Sequence, residues 1–205
     1  MSADQYQVLA STRRFEGRVL SLRTDELRMS DGTVATREIV EHPGAVGVVA
    51  LDDDDQVVLV NQYRHPVGRY LDELPAGLLD VAGEPAVIAA QRELKEETGL
   101  AAARWHVLID LFTSPGMTNE AIRVFLARGL SDAKGERFVP EHEEITLTVS
   151  RVPLYEVVDQ ALRGELTNAA AVAGVCAAAA ARARDWRDLR PADVPWSGRP
   201  QSATD

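Results

Sequence analysis

One segment restricts what this chain can become. It runs Gly77-Leu78-Leu79-Asp80-Val81-Ala82-Gly83-Glu84-Pro85 and continues to Arg92-Glu93-Leu94-Lys95-Glu96-Glu97-Thr98-Gly99-Leu100. Pro85 suits the first turn of a helix, where a missing N–H costs nothing. Gly99 suits the C-terminal end. Between them Ala86, Ala89, Ala90, Leu94 and Lys95 are helix formers or apolar positions. Residues three and four apart share a helix face, so Glu93, Glu96 and Glu97 crowd together. Such a cluster repels itself unless a cation sits among it. Hard carboxylate oxygens suit Mg²⁺ or Mn²⁺, and hydrated Mg²⁺ is the usual partner of a diphosphate. A solvated acidic face is the competing explanation, because the whole chain is acidic with a net charge of −10.

Against that competing explanation stands the full pattern. A glycine, a glutamate, seven residues and then Arg-Glu-Leu-Lys-Glu-Glu-Thr-Gly-Leu resembles the Nudix box of Nudix hydrolases. Six residues separate Gly77 from Glu84, one more than the family's usual spacing. The helix keeps its register, so the extra residue belongs to the loop. Asn61-Gln62-Tyr63-Arg64, Glu73-Leu74-Pro75-Ala76-Gly77 and Arg37-Glu38-Ile39-Val40-Glu41-His42-Pro43-Gly44 resemble the ADP-ribose pyrophosphatase branch. Pro115, sixteen residues after Gly99, is similar to the proline of members that prefer ADP-sugars. The resemblance covers roughly residues 37–175.

The resemblance implies a site. Glu93 and Glu97 hold metal, with the Ala76 carbonyl as a further ligand and Glu96 as another candidate on the same face. Arg92 and Glu84 orient those ligands. In Glu141-His142-Glu143-Glu144, Glu141 is assigned as general base and Glu143 as metal ligand, and the two roles could be exchanged. Arg64 is either a phosphate clamp, for which a guanidinium is suited, or a member of an ordinary ion pair. Glu73 is a candidate contact to ribose or base. Arg37, Ser114, Gly116 and Met117 complete the candidate substrate residues, Met117 being equally a core methionine. His42, His65, His106 and His142 show no paired metal spacing. The implied activity is cleavage of ADP-ribose to AMP and ribose 5-phosphate. The alternatives are hydrolysis of other nucleoside diphosphate sugars or oxidised nucleotides, and a nucleotide-sensing module without catalysis.

Apolar runs Val46–Leu51 and Val57–Val60, with further strands at Trp105–Phe112, Ile122–Ala127 and Ile145–Val149, predict an α/β/α sandwich around a mixed sheet. Asp52 to Asp55 read as a hairpin turn rather than a metal site. Leu154 to Arg163 reads as a helix, and Thr167 or Asn168 as the cap of an alanine-rich helix reaching about Asp185. Cys176, the single cysteine, excludes an internal disulfide and reads as a small buried group in that helix. The expected organisation is an N-terminal antiparallel β element over 1–45, a hydrolase domain over 46–190 and a mobile tail over 191–205.

The N-terminal element is too small for a core of its own, so it packs on the next domain or on a second subunit; a homodimer is expected, and the resemblance implies the same. The acidic charge argues against nucleic-acid or anionic-membrane partners; a small nucleotide sugar is the partner that the resemblance implies. No signal-like or membrane-spanning segment is visible in the sequence, which points to the cytoplasm.

Overall fold

The computed structural model describes residues 6–134 and 146–200. Strands β1 (Gln7–Glu16), β2 (Ser21–Arg28) and β3 (Val34–Glu41) form an antiparallel three-stranded sheet in the order β1-β2-β3. The Ser30–Thr33 turn between β2 and β3 is closed by the Met29 N–H donating to Thr33 O at 2.7 Å.

A mixed sheet follows, built from β4 (Ala45–Leu51), β5 (Gln56–Arg64), β6 (Arg69–Glu73), β7 (Ala76–Leu78), β8 (Leu100–Phe112), β9 (Ala121–Asp132), β10 (Thr148–Pro153) and β11 (Arg190–Pro191). Its order is β10-β5-β4-β9-β8-β11, with β6 beside β5 and β7 beside β4. β4 and β9 are parallel, at the middle of the sheet. Every residue of β4 is buried, as expected where helices cover both faces of a strand. Val46, Val48 and Ala50 point to one side and join Phe125 and Ala127 under Ala89, Ala90 and Leu94 of α1 (Ala86–Thr98). Val49 and Leu51 point to the other and pack with Val124 and Leu126 under α2 (Leu154–Leu162) and α3 (Ala169–Arg182). The α/β/α sandwich expected from the strand pattern is therefore the fold. No helix among the described residues is long and apolar enough to cross a membrane.

Local signals act as their chemistry requires. Asp52 accepts from the amides of Asp54 and Gln56 at 3.0 and 2.9 Å, closing the β4–β5 hairpin. Asn168 caps α3 by accepting from Ala171 N at 2.9 Å. Other expectations need correction. β6, β7 and β11 were not anticipated. β8 and β9 extend beyond the apolar runs, and β10 runs from Thr148 to Pro153 rather than ending at Val149. α3 stops at Arg182. Cys176 is exposed, not buried: the inward stripe of α3 is Ala171, Gly174, Val175 and Ala178, and residue 176 falls off that stripe. The segment read as a mobile tail lies along the domain as far as Pro200, where Ala192, Val194 and Trp196 pack on the α1-side core.

The junction of β8, β9 and β11 is ionic. Arg123, only 2 % exposed, bonds Asp110 through Nε at 2.7 Å, and Arg190 reaches the other Asp110 oxygen at 2.6 Å. Burial works to raise the Asp110 pKa, but these two arginines outweigh it and hold the carboxyl below its ordinary value. A carboxylate depressed in the folded state adds stability above its unfolded pKa and loses that stability as pH falls through the folded value. Asp110→Asn should cost about 3 kcal/mol at neutral pH, because it leaves a buried arginine without its counter-charge. Urea titrations should show the gap from the parent closing as pH drops below the usual carboxylate range, and a gap unchanged at low pH would contradict the assignment.

Candidate active site

β7 lies antiparallel to the start of β4, pairing Ala76 with Gly47 and Gly77 with Val46. The chain then loops over Leu79–Glu84, with Gly83 in the left-handed region at φ 76°, and enters α1. Pro85 sits at the N-cap, and Gly99 ends the helix at φ 71° with its N–H on Lys95 O. Because Ala89, Ala90 and Leu94 face the sheet, Glu93 and Glu97 fall on the flank beside β7. Glu97 accepts from the Ala76 amide at 3.0 Å. A Cβ at Gly77 would collide with the Glu93 carboxylate, so only glycine allows this approach. Two carboxylates thus flank the Ala76–Gly77 peptide.

Arg92 holds the acidic face together. Its guanidinium reaches Glu84 at 3.2 and 3.4 Å, Glu93 at 2.5 Å and Glu96 at 3.2 Å. Hydrogen bonding to Glu84, with the charges of Glu93 and Glu84, raises its pKa further above the ordinary arginine value. Glu93 goes the other way for a carboxylate. Burial raises its pKa, Arg92 only partly offsets that, and the like charges of Glu96 and Asp80 add to the rise. A buried carboxylate whose charge is incompletely balanced by its own neighbours is one that gains from a cation.

In front of β7 opens a cleft of about 420 Å³ with Gly47, Ala76 and Gly77 on its floor. Arg64 and Glu73 line one wall, His42, Glu120 and Ile122 another, and the start of α3 at Asn168 and Ala170 a third. Glu73 is 2 % exposed. It accepts from Arg64 Nε at 2.9 Å and Nη2 at 2.7 Å, and from Gln62 at 3.4 Å. The ion pair left open by the sequence is therefore formed, and Glu73 pairs with Arg64 while lining the cleft. Arg64 nevertheless lies at the mouth with its side chain 45 % exposed. His42 Nδ1 accepts from the Gly44 amide at 3.1 Å yet also lies 3.7 Å from Glu120. Burial lowers its pKa more than Glu120 raises it, so we read His42 as neutral and the Glu120 approach as no ion pair.

Other candidates lie elsewhere. Arg37 is exposed on β3 and donates to Thr36 O at 2.9 Å. Ser114, Gly116 and Met117 belong to the turn after β8, which docks on the end of β3 through Val40 N to Met117 O at 2.8 Å. Met117 is 60 % exposed and is not a core residue. None of these four lines the cleft. Glu141 and Glu143 lie outside the described residues. His42, Glu120 and Asn168 line the cleft but were not singled out for it in the sequence, since only the fold draws 42, 120 and 168 together.

The donor set suits a hard divalent cation: carboxylates with a backbone carbonyl beside them, and the glycine cradle that admits Glu93. Among the described residues no three acidic or histidine side chains converge as a ready cluster; Glu93 bonds Arg92 and Glu97 accepts from the Ala76 amide. Glu93, Glu97 and the Ala76 carbonyl are the groups that would hold a metal here.

A model of the NUDIX domain matches residues 41–172. The chain is 46 % identical over 200 residues to an ADP-ribose pyrophosphatase of Mycobacterium tuberculosis, covering 98 % of this chain and 95 % of that protein. It is 38 % identical over 152 residues to an ADP-ribose pyrophosphatase of Bacillus subtilis, covering 72 % and 82 %. A crystal structure of an ADP compounds hydrolase superposes with a TM-score of 0.73 at 25 % identity, over 91 % of this chain and 96 % of that one. The chain belongs to the Nudix family of hydrolases.

Glu93→Gln removes a charge that the fold holds at a cost. In the presence of chelator this variant should match or exceed the parent in thermal stability, while its turnover with added Mg²⁺ falls to near background. Full turnover at ordinary Mg²⁺ would overturn the ligand role of Glu93.

Proposed function

We propose that this protein hydrolyses the diphosphate of ADP-ribose to AMP and ribose 5-phosphate, with Mg²⁺ or Mn²⁺ as cofactor. The observation that carries this reading is the pair of carboxylates, Glu93 and Glu97, flanking the Ala76–Gly77 peptide at the floor of a cleft with Arg64 at its mouth. A diphosphate repels an incoming hydroxide; a bound divalent cation neutralises that charge and lowers the pKa of water. Arg92 fixes the rotamer of Glu93. Glu73 holds the Arg64 guanidinium at the cleft, where it can bind phosphate oxygens. Glu141 takes the proton from the attacking water, with Glu143 as a further metal ligand. The identity to two ADP-ribose pyrophosphatases supports the substrate.

Purified protein offered ADP-ribose, other nucleoside diphosphate sugars, dinucleoside polyphosphates and nucleoside triphosphates should cleave ADP-ribose fastest, and chelator should stop it. A higher kcat/KM on another nucleotide sugar would replace the substrate while leaving the chemistry. Glu141→Gln should lower kcat by about 10²–10⁴-fold with little change in substrate affinity, the span of general-base loss. A larger loss with Glu143→Gln would exchange the two roles.

The same reading includes a homodimer in the cytoplasm. All ten residues of β1 are exposed, with Val8 and Phe15 each 56 % exposed. An open strand with large apolar side chains calls for a cover, and a symmetric copy supplies one. The turn holding Ser114, Gly116 and Met117 docks on this sheet, so Arg37 and that turn would meet substrate from the assembled pair. The double variant Val8→Asp, Phe15→Asp should sediment as a monomer and bind ADP-ribose more weakly. A parent protein that is already monomeric at micromolar concentration would end this part of the proposal.

A further inference from the structure

The C-terminal segment makes a set of contacts that the chemistry above does not use. It leaves the sheet at β11, which pairs Arg190 with Val107 and Pro191 with His106. Arg123, already held by Asp110, turns its remaining donors on the backbone beyond: Nη1 to Val194 O at 2.7 Å and Nη2 to Pro195 O at 3.4 Å. Its guanidinium lies 4.9 Å from the centre of the Trp196 ring. A buried arginine thus fixes the course of a segment with no helix and only a two-residue strand.

That course ends beside the loop of the acidic box, directly at its Glu84 end and through Gly44 at its Leu79 end. Arg199 Nη1 donates to Glu84 O at 3.4 Å. Pro200 closes on Gly44, where an added Cβ would come 3.1 Å from Pro200 Cδ, and Gly44 O accepts the Leu79 amide at 3.0 Å. The intervening residues Asp80–Gly83 are all exposed. An exposed loop with few internal bonds samples many conformations unless its ends are tied. Glu84 must stay placed, because its carboxylate orients Arg92 and Arg92 in turn orients Glu93.

We infer that residues 192–200 form a strap that sets the position of the Leu79–Glu84 loop and, through Glu84 and Arg92, of Glu93. Arg199 is its positioning residue. The inference rests on the reading of Glu93 as a metal ligand but not on the identity of the nucleotide.

The test uses the full-length chain with Arg199→Ala and Arg199→Lys. Hydrogen exchange of the metal-free protein reports residues 79–85 against β4 as internal reference, and the Mn²⁺ spin signal reports metal binding. Arg199→Ala should speed exchange in 79–85 while leaving β4 unchanged. It should weaken Mn²⁺ binding by roughly three- to tenfold, below the ~10–100-fold usual for a direct outer-shell partner. Arg199→Lys, which keeps one donor for the Glu84 carbonyl, should restore most of both. Parent-like loop exchange and Mn²⁺ binding in Arg199→Ala would overturn the inference. So would an Arg199→Lys variant no better than Arg199→Ala, including where Arg199→Ala loosens β4 as well. Neither readout involves a nucleotide, so a parent protein inactive on ADP-ribose would refute the substrate and leave the strap standing.

Discussion

The guanidinium of Arg92 makes the rest of this site possible. Glu93 and Glu96 on one flank of α1, and Glu84 just before the helix, all pair with Arg92. Like charges at helical spacing destabilise a helix, and burying a carboxylate without a partner is worse. Arg92 answers both problems from within the same turn. It leaves Glu93 only partly compensated, however, since burial still raises that carboxyl's pKa. The flank is therefore foldable without a metal and still improved by one. A second internal cation in place of a carboxylate would have made a more stable helix and a poorer cation site.

The placement of that flank depends on packing far from it. Ala76 and Gly77 follow Leu74, which is 1 % exposed. An added Cβ at Gly174 would come 2.8 Å from Leu74 Cδ1 and 3.2 Å from Val49. α3 therefore approaches the sheet closely enough to fix the residue that leads into β7. On the opposite face Leu94 of α1 is fully buried, one position from Glu93. The sheet that carries β7 is held between two helices whose inward stripes are alanine, glycine, valine and leucine. Small residues there bring α3 close, and tight packing transmits position rather than absorbing it.

How much of this could be read from the sequence follows from the range of each interaction. α1 was legible because Pro85 and Gly99 act on their own turns, and the Asp52–Asp55 turn and Asn168 cap were legible for the same reason. The crowding of Glu93, Glu96 and Glu97 needs only helical periodicity. The Arg64–Glu73 pair was seen as two residues but not as a pair, because β6 has a weak strand pattern and its register against β5 decides the contact. His42, Glu120 and Asn168 meet only through the parallel pairing of β4 with β9 and the return of α3. The packing of the Pro- and Gly-rich segment up to Pro200 was not legible, because Arg123, distant in sequence, makes much of it. Cys176 was misplaced by one step of helical phase, a detail that an alanine-rich helix does not reveal since nearly every position is apolar.

Charge explains why such a protein needs its arginines where they are. A chain of net charge −10 repels an anionic diphosphate at long range, and about 8 Å of screening at physiological salt leaves only local fields to act. Among the described residues Arg64 is the one arginine or lysine on the lining of the cleft. Glu73 neutralises Arg64 in part, yet holds its fork in place through Nε and Nη2. Orientation is gained at the cost of net charge. For a planar guanidinium recognising phosphate, geometry contributes as much as charge, and the remaining attraction must then come from divalent cations held by the box. Acidic helix and anionic substrate are compatible through that third component, and if the carboxylates of α1 hold it, as proposed, they are a condition of binding as well as of catalysis.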